Sequence, residues 1–137
     1  MNEELLNKVK KHFENDNFVN LIGAKLIELG EGYAKAELAI DERHLNAHGI
    51  VQGGVMFTLA DLTLGAASAS YGYVCVAVQA SIVFLKPVKE GMTLIATVRE
   101  LSKGKKISNY QITIENSLGK EIANFVGVAY DKGIEIE

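Results

Sequence analysis

The segment from residue 53 to about residue 70 is rich in leucine and alanine, apolar on nearly every face, and charged only at Asp61. A helix of that kind must be enclosed on most sides, and the rest of the chain offers mainly strands to enclose it. Before the segment, a strand is expected around residues 22–29, then a Gly30-Glu31-Gly32 turn and an alternating stretch. In that stretch Ala34, Ala36, Leu38 and Ile40 share one face, and Lys35 and Glu37 share the other. After it, strands are expected over 74–85, 92–101, 107–116 and 121–130, with turns at Lys103-Gly104-Lys105 and Leu118-Gly119-Lys120. Residues 74–85 are apolar on both faces, which predicts a central strand. A first helix follows Asn2, with an apolar stripe of Leu5, Leu6, Val9 and Phe13, and ends near Asn15-Asp16-Asn17. Residues 41–51 read as loop.

The order helix, two strands, buried helix, four strands predicts an α+β fold in which an antiparallel sheet of five or six strands curls round one long helix. Such a sheet leaves edges that a second copy can extend, so a homo-oligomer is expected. The length of 137 residues predicts a single domain over 1–137. With a net charge of −3, no basic field is available to hold nucleic acid. The lone Cys75 cannot form an internal disulfide or a multi-thiolate metal site, and fits a small packed hydrophobe in a reducing compartment. The first thirteen residues are charged rather than apolar, and no run is long enough to span a bilayer, so a soluble, cytoplasmic protein without a membrane partner is expected.

Asp61 is the only charged side chain between Arg43 and Lys86. It lies too deep in the helix to be explained by the helix dipole. Two readings fit it: a solvated residue on the one polar stripe, or a carboxylate kept as nucleophile or general base. Gly53 and Gly54 open the helix. Their backbone N–H groups suit the negative charge that develops on a carbonyl oxygen in acyl transfer, and a plain turn or close packing fits them as well. Asn46, His48 and Gln52 share the loop leading in, although Asn is a common turn residue and His44 and His48 also fit surface imidazoles.

The run from Asn46 through Gly49 to Gln52-Gly53-Gly54, followed by Asp61, resembles the signature of the PaaI-like acyl-CoA thioesterases of the hot-dog superfamily. That signature has an Asn, a loop Gly, a His-Gly-Gly triplet and a downstream Asp. The stretch Phe84-Leu85-Lys86-Pro87 is similar to the family's strand end, and the resemblance extends over most of residues 20–130. It implies a hot-dog fold that hydrolyses an aryl- or fatty acyl-CoA to free acid and CoA without a cofactor or metal. Asp61 would be nucleophile or base, Gly54 and Gly53 would supply backbone N–H groups to the thioester oxygen, and Asn46 would position water or thioester. The resemblance further implies a dimer, paired again into a tetramer, with each site completed by the other subunit.

The chain departs from the pattern at Gln52, where the family has His, and at Gln79, where Asp is common; Ala77 stands where Ser or Thr is frequent. A Gln amide still donates a hydrogen bond but carries no proton. His48, Gln79, Lys103 and Lys105 are further candidates for substrate contact, the two lysines toward the phosphates of CoA or simply as solvated turn residues. Two alternatives stay open: a thioester dehydratase or hydratase using His48 with Asp61, and a non-catalytic acyl-CoA sensing module.

Overall fold

The computed structural model describes residues 2–137. Helix α1 (Glu3–Phe13) starts where Asn2 accepts the Leu5 N–H at 3.2 Å, with Glu3 and Glu4 in its first turn and Lys10, Lys11 and His12 in its last, as its dipole favours. A second helix, α2 (Asn17–Ile22), occupies the approach to the first strand, whose expected start at residue 22 is thereby corrected. Asp16 caps α2 by accepting the Val19 N–H at 3.0 Å, and Gly23, at φ 84°, ends it. Val19 and Ile22, three apart, are buried while Phe18 and Leu21 are exposed, so the apolar cluster has helical rather than strand spacing.

Strands β1 (Lys25–Gly30), β2 (Tyr33–Ala39), β3 (Tyr73–Phe84), β4 (Thr93–Lys103), β5 (Ile107–Asn116) and β6 (Glu121–Glu135) form one antiparallel sheet in the order β1-β2-β4-β5-β6-β3. The sheet packs round α3 (Gly53–Ala69), which is the long helix expected at that place. The inner face beneath α3 is floored by small side chains, among them Ala34, Ala36, Ala96, Ala123 and Ala129, which let the helix approach closely. Leu59 and Leu64 of α3 then pack among Leu38, Ile112, Ile114 and Phe125, all fully buried. The far end of α3 is tied down by polar bonds: Ser70 Oγ accepts the Gly32 N–H at 2.8 Å, and the Tyr71 and fully buried Tyr110 hydroxyls both donate to Glu100.

The apolar stretch expected to be a central strand is instead an edge. β3 pairs only with β6, and Val76, Val78, Val83 and Phe84 on it are 42–59% exposed. Its apolar character on both faces therefore does not come from burial within this chain. β6 also runs on to Glu135 rather than stopping at Tyr130.

Gly127 marks the closest approach of helix and sheet, because a Cβ there would collide with Leu64 Cδ1 and lie 3.0 Å from Phe125 Cε1. Both neighbours are locked in the core, so Gly127→Ala is expected to destabilise the fold by about 1–3 kcal/mol. A denaturant titration should read this as a lower midpoint at unchanged slope.

Candidate active site

The loop into α3 is shaped by Asn46. Its N–H donates to Ile50 O at 2.7 Å, and its side-chain Oδ1 accepts the N–H groups of His48 at 2.8 Å and Ile50 at 3.3 Å. Gly49 supplies the left-handed residue of this turn, at φ 76°. The side-chain oxygen is thus spent on the loop, and the Asn46 amide NH2 remains free to donate into a cavity of 470 Å³ that also borders Gln52, Gly53, Met56, Phe84 and Lys86. His44 is not a surface imidazole. It is buried, accepts the Asp41 N–H at Nδ1 (2.9 Å) and donates from Nε2 to Ile22 O (2.7 Å), which fixes a neutral tautomer. Its carbonyl accepts the Gln52 N–H at 2.8 Å, so His44 holds the loop against α2.

At the start of α3 the two glycines differ. Gln52 is the N-cap, and its Oε1 accepts the Gly53 N–H at 3.1 Å, which turns the amide NH2 of Gln52 outward. A Cβ on Gly53 would lie 2.8 Å from Phe84 Cζ, so packing against β3 accounts for glycine there. Gly54 has no such constraint: its nearest neighbour to an added Cβ is Gln52 Cγ at 3.9 Å. Its N–H, in the first turn, has no acceptor among the described residues.

Asp61 lies seven residues on, which places it on the same face of α3 as Gly54 and about 10 Å along the axis. These two are the only exposed positions on the helix. Asp61 opens into a second cavity, of 500 Å³, between α3, the Cys75–Ala77 part of β3 and the corner joining α1 to α2. The walls withdraw water from the carboxylate and push its pKa up, and the negative charge of Asp16 across the cavity adds to that rise. Phe13 holds the α1 end of this wall in place, since its ring fills the notch at Gly65, one turn past Asp61. Burial likewise raises the Cys75 thiol, keeping it uncharged at neutral pH.

The remaining candidates are scattered. His48 is exposed and borders neither cavity, and Gln79 is exposed on the edge strand. Lys103, in the hairpin between β4 and β5, donates to Gly104 O at 2.9 Å and lies 4.8 Å from the centre of the Tyr71 ring, while Lys105 is exposed on the same turn. The residues that sequence reasoning did not connect with the site are His12, Asp16 and Phe18 beside Asp61. These three come from a segment more than forty residues upstream, brought there by the docking of Phe13 on Gly65 and the burial of Val19 and Ile22.

The thioesterase superfamily model matches residues 48–123, which hold Gly53, Gly54 and Asp61. Acyl-coenzyme A thioesterase PaaI of Escherichia coli is 35% identical over 121 residues, covering 88% of this chain and 86% of that protein. The structure of the E. coli PaaI protein superposes with a TM-score of 0.90 over 97% of this chain and 99% of that one, at 34% identity. A Streptococcus mutans protein solved bound to acetyl CoA superposes with a TM-score of 0.79 over 82% of this chain and 91% of that one, at 28% identity. A single helix wrapped by a six-stranded antiparallel sheet, opened by Gln52-Gly53-Gly54 and bearing Asp61, together with these likenesses, means that the chain belongs to the thioesterase superfamily as a PaaI-like hot-dog thioesterase.

Proposed function

We propose that the protein hydrolyses an acyl-CoA thioester, with Asp61 as nucleophile or general base and the free Gly54 N–H as principal donor to the thioester oxygen. The observation that carries this reading is the pairing of an unconstrained Gly54, whose N–H has no partner among the described residues, with a partly desolvated carboxylate on the same helix face. A donor of this kind is worth about 3 kcal/mol at the developing oxyanion. The outward amide of Gln52 is a second donor to the same oxygen, and the free Asn46 amide orients the thioester or the attacking water. Lys86, at the Asn46 cavity, and Lys103 and Lys105, on the hairpin, supply cations for the phosphates of CoA. Likeness to PaaI and to a protein solved with acetyl CoA supports this choice of substrate class. The exposed His48, away from both cavities, disfavours an acid–base pair with Asp61.

One carbonyl cannot reach both groups within one chain, because Gly54 and Asp61 are about 10 Å apart along the helix. A second copy added across the β3 edge removes the difficulty. Val76 borders the Asp61 cavity and Phe84 borders the Gly53 cavity, so a two-fold axis at Ala80 exchanges the two ends of β3. In that arrangement Asp61 of one copy meets Gly54 of the other. The exposed valines of β3 are then covered. We place the active site there, two per dimer.

Asp61→Asn is expected to lower acyl-CoA hydrolysis at least ~100-fold with the dimer intact, measured as CoA thiol release over aryl and straight-chain acyl-CoAs. A rate close to wild type would remove Asp61 from the reaction. Gln52→His is expected to retain activity, since His also donates to the oxygen; a large loss in the same assay would give Gln52 a role of its own. Co-refolding Asp61→Asn chains with Gly54→Val chains is expected to restore about one quarter of wild-type activity, because half the dimers are mixed and each mixed dimer holds one intact site. Absence of any restoration would place the site within a single chain.

A further inference from the structure

We propose that Asp16 is a positioning residue for thioester cleavage: from the α1–α2 corner it sets a second, fixed carboxylate opposite Asp61 in one cavity. This inference rests on the thioesterase reading of Asp61. Asp16 is held in place twice over. Its Oδ1 accepts the Val19 N–H at 3.0 Å, which fixes the side chain as the cap of α2, and Asn20 Nδ2 donates to Glu14 O at 2.8 Å, which closes the corner around it. The corner is in turn seated on α3 by Phe13 against Gly65, so the distance between the two carboxylates is set by packing rather than left to a loose terminus.

The titratable groups that face Asp61 from the surrounding elements are His12 on α1, Asp16 at the corner and Cys75 on β3; α3 itself adds none. The Cys75 thiol is kept neutral by burial. Lys86, which borders the cavity at Gly53, is the cation that the proposed second copy would bring toward Asp61. Within the chain, Asp16 is therefore the fixed negative charge acting on Asp61, and it adds to the upward push that burial gives the carboxyl. Two like charges facing one cavity resist ionising together. Asp61 consequently holds a proton to higher pH, and once ionised takes one from water more readily.

Asp16→Asn isolates the charge, because Asn caps a helix as well as Asp does. The acid limb of the pH profile of kcat/KM for acyl-CoA hydrolysis is expected to move about half a pH unit or more toward acid, and the Asp61 carboxyl carbon should titrate lower by the same amount in NMR. The sign follows from removing a like charge, which makes the carboxyl easier to ionise. An acid limb that stays in place, whatever happens to the melting temperature, overturns the role of Asp16. If instead Asp61→Asn hydrolyses at the wild-type rate while the carboxyl titration moves, the assignment of Asp61 to the reaction has failed and the pairing of the two carboxylates has not.

Discussion

A helix with one charge in seventeen residues has no stable place at a surface, and the enclosure of α3 governs the remaining architecture. The sheet reaches round it because the floor beneath it is alanine and Gly127, and because the helix end is pinned by Ser70 and Tyr71 rather than left to fray. Enclosure also decides what is left over. Of the whole helix only Gly54 and Asp61 stay exposed, on one stripe that runs beside the free edge of β3. The two exposed positions therefore lie on the single line along which the sheet does not close.

The elements with an unambiguous period were legible in the sequence. β5 occupies the residues that its alternation of Tyr110, Ile112 and Ile114 with Gln111, Thr113 and Glu115 predicts, and α3 starts at Gly53 as expected. α2 was not legible, since four apolar residues in six satisfy a strand as well as a helix until the Asp16 cap is seen to commit them. β3 was misread for a more instructive reason. Apolar residues on both faces report burial but not by whom, and β3 lies at the edge of its own sheet. Of the candidate site, the order of Gln52, Gly53, Gly54 and Asp61 along the chain could be read in advance. Which glycine N–H is free could not, because that depends on where the Gln52 side chain bonds and on how near Phe84 comes.

The adjacent glycines separate two demands that a sequence motif merges. Gly53 answers to packing, since any side chain there meets Phe84, whereas Gly54 has room for one and lacks it. Damage at Gly53 would register first in the seating of β3 on the helix. Damage at Gly54 would leave the fold standing and register in whatever approaches its N–H from outside.

The wall opposite Asp61 lies in a different part of the chain from Asp61 itself. The superfamily match begins at residue 48, whereas Phe13, Asp16 and Phe18 belong to the segment of two short helices upstream of it, seated on the core by Phe13 in the Gly65 notch and by the buried Val9, Val19 and Ile22. The carboxylate is thus carried by α3, and its surroundings by the α1–α2 segment, which adds no strand to the sheet. Changes confined to the exposed side chains of that corner, such as Phe18, would redraw the chamber while leaving the strand pairing of the sheet as it is.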